Sequence, residues 1–216
     1  MARLLVIEGL IGVGKTTLCR ILAREWGARL VLEPADDNPF LANFYEDPQR
    51  FAFPAQMFYL AMRYQQQQEL RQGDLFAPLV VADYLFAKDR LFAEMTLRGN
   101  EMALYHRFAG LLPDPPPRPD LVVFLDADTE VIRSRIARRG LSHEQVIPAR
   151  YLDELRERYL SLWAGYTEAP IRFLRTDDID YANDPAQRAS LLKMLEGWMD
   201  GAAAPPTQGL FGSGPA

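Results

Sequence analysis

Eight consecutive residues near the start of the chain have the spacing of a phosphate-binding loop. The run Gly9-Leu10-Ile11-Gly12-Val13-Gly14-Lys15-Thr16 fits the pattern G-x-x-x-x-G-K-[ST] in full. Its glycines let backbone N–H groups surround a polyphosphate, and the following helix presents the positive end of its dipole. We expect Lys15 to reach the β- and γ-phosphates, Thr16 to ligate Mg²⁺, and Thr17 to join the ATP contacts.

Two acidic residues directly follow predicted strands. Glu33 follows the strand Leu30–Leu32, and Asp83 follows the strand Leu79–Ala82. Ligands of open parallel sheets collect at the carboxyl ends of the strands. A carboxylate there can accept the proton of an acceptor hydroxyl, so Glu33 is the candidate general base. Asp83 is the candidate acid for Mg²⁺, together with Thr16.

Arginines are concentrated shortly before Gly140, at Arg133, Arg135, Arg138 and Arg139. On the predicted helix, Arg135 and Arg139 are spaced i, i+4 and share a face. Two guanidinium groups on one face can hold phosphoryl oxygens as charge spreads in a transition state. The simpler alternative is a solvated basic helix face, and the phosphate-binding loop in the same chain favours the catalytic interpretation.

Short apolar runs alternate with stretches of helical periodicity, which predicts an α/β fold with a five-stranded parallel sheet and helices on both faces. The predicted strands are Leu4–Glu8, Leu30–Leu32, Leu79–Ala82, Leu121–Leu125 and Ile171–Leu174. The predicted helices are Lys15–Trp26, Asn38–Gln72 with a break at Asp47-Pro48, Ala87–Thr96, Glu101–Leu112, Thr129–Arg139, Ala149–Tyr166 and Asp184–Met199. One domain is expected over residues 1–200, with a lid at about 135–147. Residues 201–216, rich in Gly, Ala and Pro, are expected to form a disordered tail without function.

The bulk composition narrows the class of protein. A length of 216 residues with 49% apolar content suits one compact domain. The net charge of −5 argues against a nucleic-acid or membrane-surface partner, because both need a broad basic face. A single cysteine, Cys19, excludes an internal disulfide and favours the cytoplasm. We therefore expect a cytoplasmic enzyme that binds small anionic ligands.

Other classes with the same loop fit less well. The D-x-x-G and N-K-x-D segments of GTPase switches are absent from suitable places. An ATPase motor usually carries paired acids after an apolar strand, whereas this strand ends in Ala82-Asp83-Tyr84. A small-molecule kinase needs a base and closing arginines, and both are present. A thymidylate-kinase-like enzyme and a non-catalytic nucleotide-binding subunit remain as alternatives.

A larger set of short motifs carries a family resemblance. They are Glu33, Asp37-Asn38-Pro39-Phe40-Leu41, Phe44-Tyr45-Glu46, Gln56-Met57-Phe58-Tyr59-Leu60, Arg63, Ala82-Asp83-Tyr84, Arg135-Ile136, Arg139-Gly140, Glu144-Gln145 and Tyr151-Leu152. Over about Leu4 to Tyr181 the chain resembles the deoxynucleoside kinases, and most closely their bacterial deoxyguanosine/deoxyadenosine members. The resemblance implies phosphoryl transfer from Mg²⁺-bound ATP to the 5′-hydroxyl of a 2′-deoxynucleoside. It also implies a homodimer, for which the apolar helices Phe51–Met62 and Ala87–Met95 are candidates.

The resemblance assigns the acceptor contacts. Glu33 matches the base that takes the 5′-hydroxyl proton, and Tyr45 with Glu144 matches the pair that binds the 3′-hydroxyl. Gln56 and Arg63 match residues at the edge of the nucleobase. The implied acceptor is a purine, with deoxyguanosine first and deoxyadenosine second.

The remaining assignments concern stacking and the donor. Phe92 is the candidate for stacking on the nucleobase. Arg135 and Arg139 match lid arginines, and Asp180-Tyr181 resembles the segment along the donor adenine. The chain departs from the family pattern in two places: the string Ala82-Asp83-Tyr84 lacks the arginine that many members carry after the third strand, and Leu141 stands where many members have a further lid arginine.

Overall fold

A computed structural model describes residues 2–35, 37–71, 77–112 and 115–202. The strands are β1 (Arg3–Gly9), β2 (Arg29–Val31), β3 (Leu79–Ala82), β4 (Leu121–Asp126) and β5 (Ile171–Arg175). The helices are α1 (Lys15–Trp26), α2 (Leu41–Glu46), α3 (Pro48–Arg71), α4 (Ala87–Thr96), α5 (Gly99–Ala109), α6 (Thr129–Arg139), α7 (Ser142–Gln145), α8 (Ala149–Gly165) and α9 (Pro185–Gly201).

The strands form one parallel sheet in the order β2-β3-β1-β4-β5. Every side chain from Leu121 to Leu125 in β4 is fully buried. Because successive side chains of a strand point to opposite faces, both faces of the sheet are covered. Helix α1 packs against β1, β2 and β3. On β4, the Phe124 ring contacts Tyr159 and Trp163 of α8. The predicted α/β fold is confirmed.

A second apolar cluster lies between the helices α2 to α5. Its buried members are Phe44, Ala52, Ala55, Leu60, Ala93, Leu97 and Tyr105. Helix α3 packs against α2, α4 and α5. This helical layer lies beside the ends of β2 and β3 and supplies the far wall of the cavity described below.

Several element boundaries differ from the prediction. The strand β2 lies one residue earlier than the expected Leu30–Leu32. The expected helix Asn38–Gln72 begins only at Leu41, because Asn38 accepts a hydrogen bond from the Phe40 N–H and donates to the Ala55 carbonyl. Helix α9 continues to Gly201, beyond the expected end of the domain, whereas residues 203–216 of the expected tail lie outside the described residues. Within the described ranges, no helix is both long enough and apolar enough to cross a bilayer.

Candidate active site

The loop from Gly9 to Thr16 connects β1 to α1 and is built around Lys15. The Lys15 ammonium donates to the carbonyls of Gly9 and Leu10, each at 2.9 Å. Burial lowers the pKa of Lys15, and the nearby positive charge of Lys88 lowers it further. The side chain of Leu10 is fully buried, so this residue serves the site through its backbone.

Two glycines of the loop could not carry a side chain. Gly12 has φ +79°, and a Cβ there would lie 2.4 Å from Ile136 Cγ1 of α6. Gly14 has φ +111°, and a Cβ there would lie 2.2 Å from the Tyr181 hydroxyl oxygen. That hydroxyl donates to the Gly14 carbonyl at 3.1 Å. The loop is therefore enclosed by α6 on one side and by the segment after β5 on the other.

The Asp83 carboxylate joins two parts of the site. Its Oδ2 accepts the Thr16 hydroxyl at 2.6 Å, and its Oδ1 accepts the Glu33 N–H at 2.7 Å. A hydroxyl and a carboxylate in contact beside a phosphate-binding loop suit Mg²⁺, which binds nucleotides through one or two protein groups and the phosphates. Thr16 and Asp83 therefore fit the predicted metal site.

Both oxygens of the Glu33 carboxylate are held by cations. Oε1 accepts Arg63 Nε at 2.9 Å and also Arg63 Nη2, whereas Oε2 accepts Lys88 Nζ at 2.7 Å. Burial raises the pKa of Glu33, but the charges and hydrogen bonds of Lys88 and Arg63 outweigh it and lower the pKa to about 2. Glu33 is therefore ionised and oriented from two sides.

Arg63 lies between Glu33 and a second buried acid, Asp89. Its Nη1 pairs with Asp89 Oδ1, and Asp89 Oδ2 accepts the Tyr105 hydroxyl at 2.8 Å. The Gln56 amide donates to the Asp89 carbonyl oxygen at 2.9 Å. Gln56 and Arg63, the two residues assigned to the nucleobase edge, are thus both held by Asp89 of α4.

One cavity brings together the predicted acceptor residues. Its walls include Glu33, Tyr45, Gln56, Arg63, Asp83, Phe92 and Glu144. Lys15 and Thr16 line the same cavity. The candidate base Glu33 and the phosphate-binding Lys15 therefore face a common space, as a phosphoryl-transfer site needs.

Glu144 of α7 carries an unused acceptor in this cavity. Its Oε1 pairs with Arg139 Nη2 at 3.2 Å, and its Oε2 is buried without a hydrogen-bond partner among the described residues. The Tyr151 hydroxyl of α8 is likewise buried and unpartnered in the described chain. Buried polar atoms without partners are costly, so these atoms mark positions where a bound polar ligand is favoured.

A second cleft, on the other side of the loop, contains the predicted donor residues. It is lined by Gly12, Val13, Gly14, Lys15, Thr16, Thr17, Arg135, Arg138, Arg139, Asp180 and Tyr181. The Arg135 guanidinium is tied to the Val13 carbonyl at 3.0 Å and to the Thr176 hydroxyl at 2.9 Å. Arg139 is half exposed. Of the two predicted lid arginines, Arg135 is hydrogen-bonded to the loop and Arg139 lines the acceptor cavity.

Comparison with known proteins agrees with the nucleotide-binding and acceptor-binding features of this site. The family model described as "Deoxynucleoside kinase" matches residues 5–199. The chain belongs to the deoxynucleoside kinase family. It is 34% identical to a deoxyguanosine kinase of Bacillus subtilis, over 73% of this chain and 77% of that relative. It is 31% identical to the deoxyadenosine/deoxycytidine kinase of the same organism, over 84% of this chain and 86% of the relative.

Solved structures support the fold of this family member. A deoxyadenosine kinase from M. mycoides, solved with dCMP and dCDP, has a TM-score of 0.72 and 22% identity. The match covers 90% of this chain and 99% of that chain. The same enzyme with bound dATP gives a TM-score of 0.71 at 21% identity. At this identity the likeness establishes the fold alone.

Three elements of the site were not predicted from the sequence. They are Lys88 as a partner of Glu33, the pair formed by Asp89 and Tyr105, and the short helix α7 that carries Glu144. The signal for Lys88 was weak but present: a lysine in the first turn of a helix opposes the helix dipole, which is unusual without a specific partner. Helix α7 has only four residues and therefore leaves no periodicity to detect.

Proposed function

We propose that this deoxynucleoside kinase transfers the γ-phosphoryl group of Mg²⁺-bound ATP to the 5′-hydroxyl of a 2′-deoxynucleoside. The observation that carries the proposal is that Glu33, Lys15 and Thr16 line one cavity. A carboxylate that can accept a proton and groups that can hold a triphosphate thus share one space, which supports their acting on one pair of reactants.

The donor side follows from the loop. Backbone N–H groups of the loop and the Lys15 ammonium bind the β- and γ-phosphates. Thr16 and Asp83 are the residues that would hold Mg²⁺, which when bound neutralises charge on the phosphates. Arg139, which lines both clefts, can stabilise charge on the transferring group. Lid closure then excludes water, which would otherwise hydrolyse ATP.

On the acceptor side, Glu33 takes the proton from the 5′-hydroxyl as the oxygen attacks phosphorus. The new P–O bond forms while the bond from phosphorus to ADP breaks, so ADP and a deoxynucleoside monophosphate are the products. Lys88 and Arg63 keep Glu33 ionised, which is the state required of a base.

Acceptor recognition uses the opposite wall of the cavity. We assign the sugar 3′-hydroxyl to Tyr45 and Glu144, the nucleobase edge to Gln56 and Arg63, and stacking to Phe92. A glutamine amide can donate and accept in one plane, which suits a nucleobase edge. Deoxyguanosine is proposed as the first acceptor and deoxyadenosine as the second, supported by the names of the relatives in Bacillus and Lactobacillus.

A coupled ADP-release assay tests the function directly. The four deoxynucleosides and thymidine monophosphate are each offered with ATP and Mg²⁺, and the products are identified. We expect turnover with the purine deoxynucleosides and none with the monophosphate. Turnover with the monophosphate alone would contradict the proposal and support the thymidylate-kinase alternative. No ADP release with any acceptor would contradict it as well.

We also propose a homodimer in the cytoplasm. The single cysteine, Cys19, is buried and free, which suits a reducing compartment. On α5 and just beyond it, Leu104, Phe108 and Leu111 are exposed by 41%, 45% and 70%. Leu104 and Phe108 are four residues apart and therefore share one face of α5, and Leu111 follows just after the helix ends.

We propose this face in place of the expected Ala87–Met95, because Leu91, Ala93 and Met95 of α4 are buried inside the chain. Light scattering should give a dimer mass for the wild type and a monomer mass for Phe108→Asp. Leu160→Asp, at an exposed leucine of α8, serves as the control and should remain dimeric.

A further inference from the structure

The candidate base, Glu33, does not belong to a helix or a strand. It lies after β2, and its own backbone therefore does not fix the direction of its carboxylate. Arg63 contacts only Oε1, and Arg63 is shared with Asp89. In the described part of the chain, the other oxygen has one cationic partner, the ammonium of Lys88 at 2.7 Å.

Lys88 is held in place by the core. Its backbone N–H donates to the Leu85 carbonyl at 3.1 Å, and the Leu85 N–H donates to the buried Glu8 carboxylate of β1 at 2.7 Å. Glu8 also accepts the Gly9 N–H at the start of the phosphate-binding loop. The buried Glu8 carboxylate therefore connects the turn that carries Lys88 to the start of the phosphate-binding loop.

The position of Lys88 is costly unless it has a specific use. It is only 3% exposed, and burial of an ammonium is unfavourable without a charged partner. It also lies in the first turn of α4, where the helix dipole disfavours a cation. The Tyr84 ring lies 5.9 Å from the Lys88 ammonium.

We propose that Lys88 is the positioning residue that directs the Glu33 carboxylate towards the acceptor hydroxyl, acting through its ion pair with Oε2. The inference rests on the proposed role of Glu33 as the base. Lys88, Glu33 and Lys15 line the same cavity, so the ion pair lies where the proposed reactants would meet.

Steady-state kinetics of three variants test this role. Lys88→Met keeps an unbranched side chain without charge, and we expect kcat to fall about 10- to 100-fold while both KM values change by less than about 3-fold. Lys88→Arg retains a cationic donor and should recover most of kcat. Lys193→Met removes the same charge from the exposed side of α9 and should leave kcat unchanged. Wild-type kcat in Lys88→Met would overturn the proposal.

A double-mutant cycle separates positioning from a general structural effect. If Lys88 acts through Glu33, Lys88→Met should lower the residual kcat by less than about 2-fold in the Glu33→Gln background. The same fold loss in both backgrounds would overturn the proposal.

Urea unfolding of the wild type, Lys88→Met, Glu33→Gln and the double variant measures how strongly Lys88 and Glu33 are coupled, without any need for turnover. We expect the shifts of the unfolding midpoint to be non-additive, and additive shifts would overturn the proposal. If Lys88→Met does not fold, Lys88→Gln takes its place in both cycles. An inactive wild type would refute the proposed function, whereas the urea cycle would still decide whether Lys88 holds Glu33.

Discussion

Replacing Glu144 by alanine removes a carboxylate that the folded protein leaves half unpaired. Its Oε2 is buried and has no partner among the described residues. A sugar hydroxyl donating to that oxygen forms a charge-assisted hydrogen bond worth about 1.5–3 kcal/mol, or about 10- to 150-fold in kcat/KM. We expect Glu144→Ala to lose this factor with a 2′-deoxynucleoside. A 2′,3′-dideoxynucleoside, which has no 3′-hydroxyl, should show almost no change.

The assay is a comparison of kcat/KM for both substrates in the wild type, Glu144→Ala and Glu144→Gln. The wild type should prefer the deoxynucleoside by the full factor, the alanine variant should barely discriminate, and the glutamine variant should fall between them. An equal loss on both substrates would refute the assignment, because it would mean that Glu144 acts on something other than the 3′-hydroxyl.

Stability provides an independent check on the same residue. An unpaired buried carboxylate oxygen costs about 1–3 kcal/mol, whereas an ion pair as exposed as that with Arg139 contributes about 0–1 kcal/mol. The free energy of unfolding of Glu144→Ala should therefore stay unchanged or rise. A clear loss of stability in urea would show that Glu144 is mainly structural.

Three further predictions concern the base and the loop. Glu33→Gln should lower kcat by about 10²- to 10⁴-fold while a nucleoside still binds by calorimetry, and near wild-type turnover would exclude Glu33 as the base. Because the pKa of Glu33 is lowered from 4.5 to about 2, kcat/KM should show no acid inflection from this group above about pH 4. The contribution of ionised Glu33 to the free energy of unfolding is complete above about pH 4.5 and is lost as the pH falls through about 2. An inflection near pH 6 that disappears in Glu33→Gln would contradict this value. Gly12→Ala should destabilise the fold by about 1–3 kcal/mol in urea and weaken ATP binding, because the new Cβ meets Ile136 at a positive φ. Gly197→Ala, in open space on α9, is its control and should do neither.

Much of the fold could be predicted because local signals agreed with the final packing. The predicted bounds of α1, β3, α4 and α6 coincide with those in the structure. Each is an apolar or periodic segment, and α1 ends at Gly27 in the left-handed conformation. The loop from Gly9 to Thr16 was also recognisable, because its chemistry depends on residues that are adjacent in the sequence.

The contacts around Glu33 could not be predicted in the same way. Glu33 meets Arg63 and Lys88 across 30 and 55 residues of sequence. Periodicity indicates which face of a helix is buried, but it does not indicate which buried polar groups will meet between two helices and a loop. Asp89 was missed for the same reason, since its partners lie on α3 and α5.

The Asp83 carboxylate links the two sites that we propose for the donor and the acceptor. One oxygen accepts a hydrogen bond from the Thr16 hydroxyl of the nucleotide loop, and the other accepts one from the backbone N–H of Glu33, the proposed base. A change that displaces Asp83 is therefore expected to disturb both contacts. Substrate preference can therefore diversify at positions of α3 and α4 other than Arg63 and Lys88, which hold the Glu33 carboxylate.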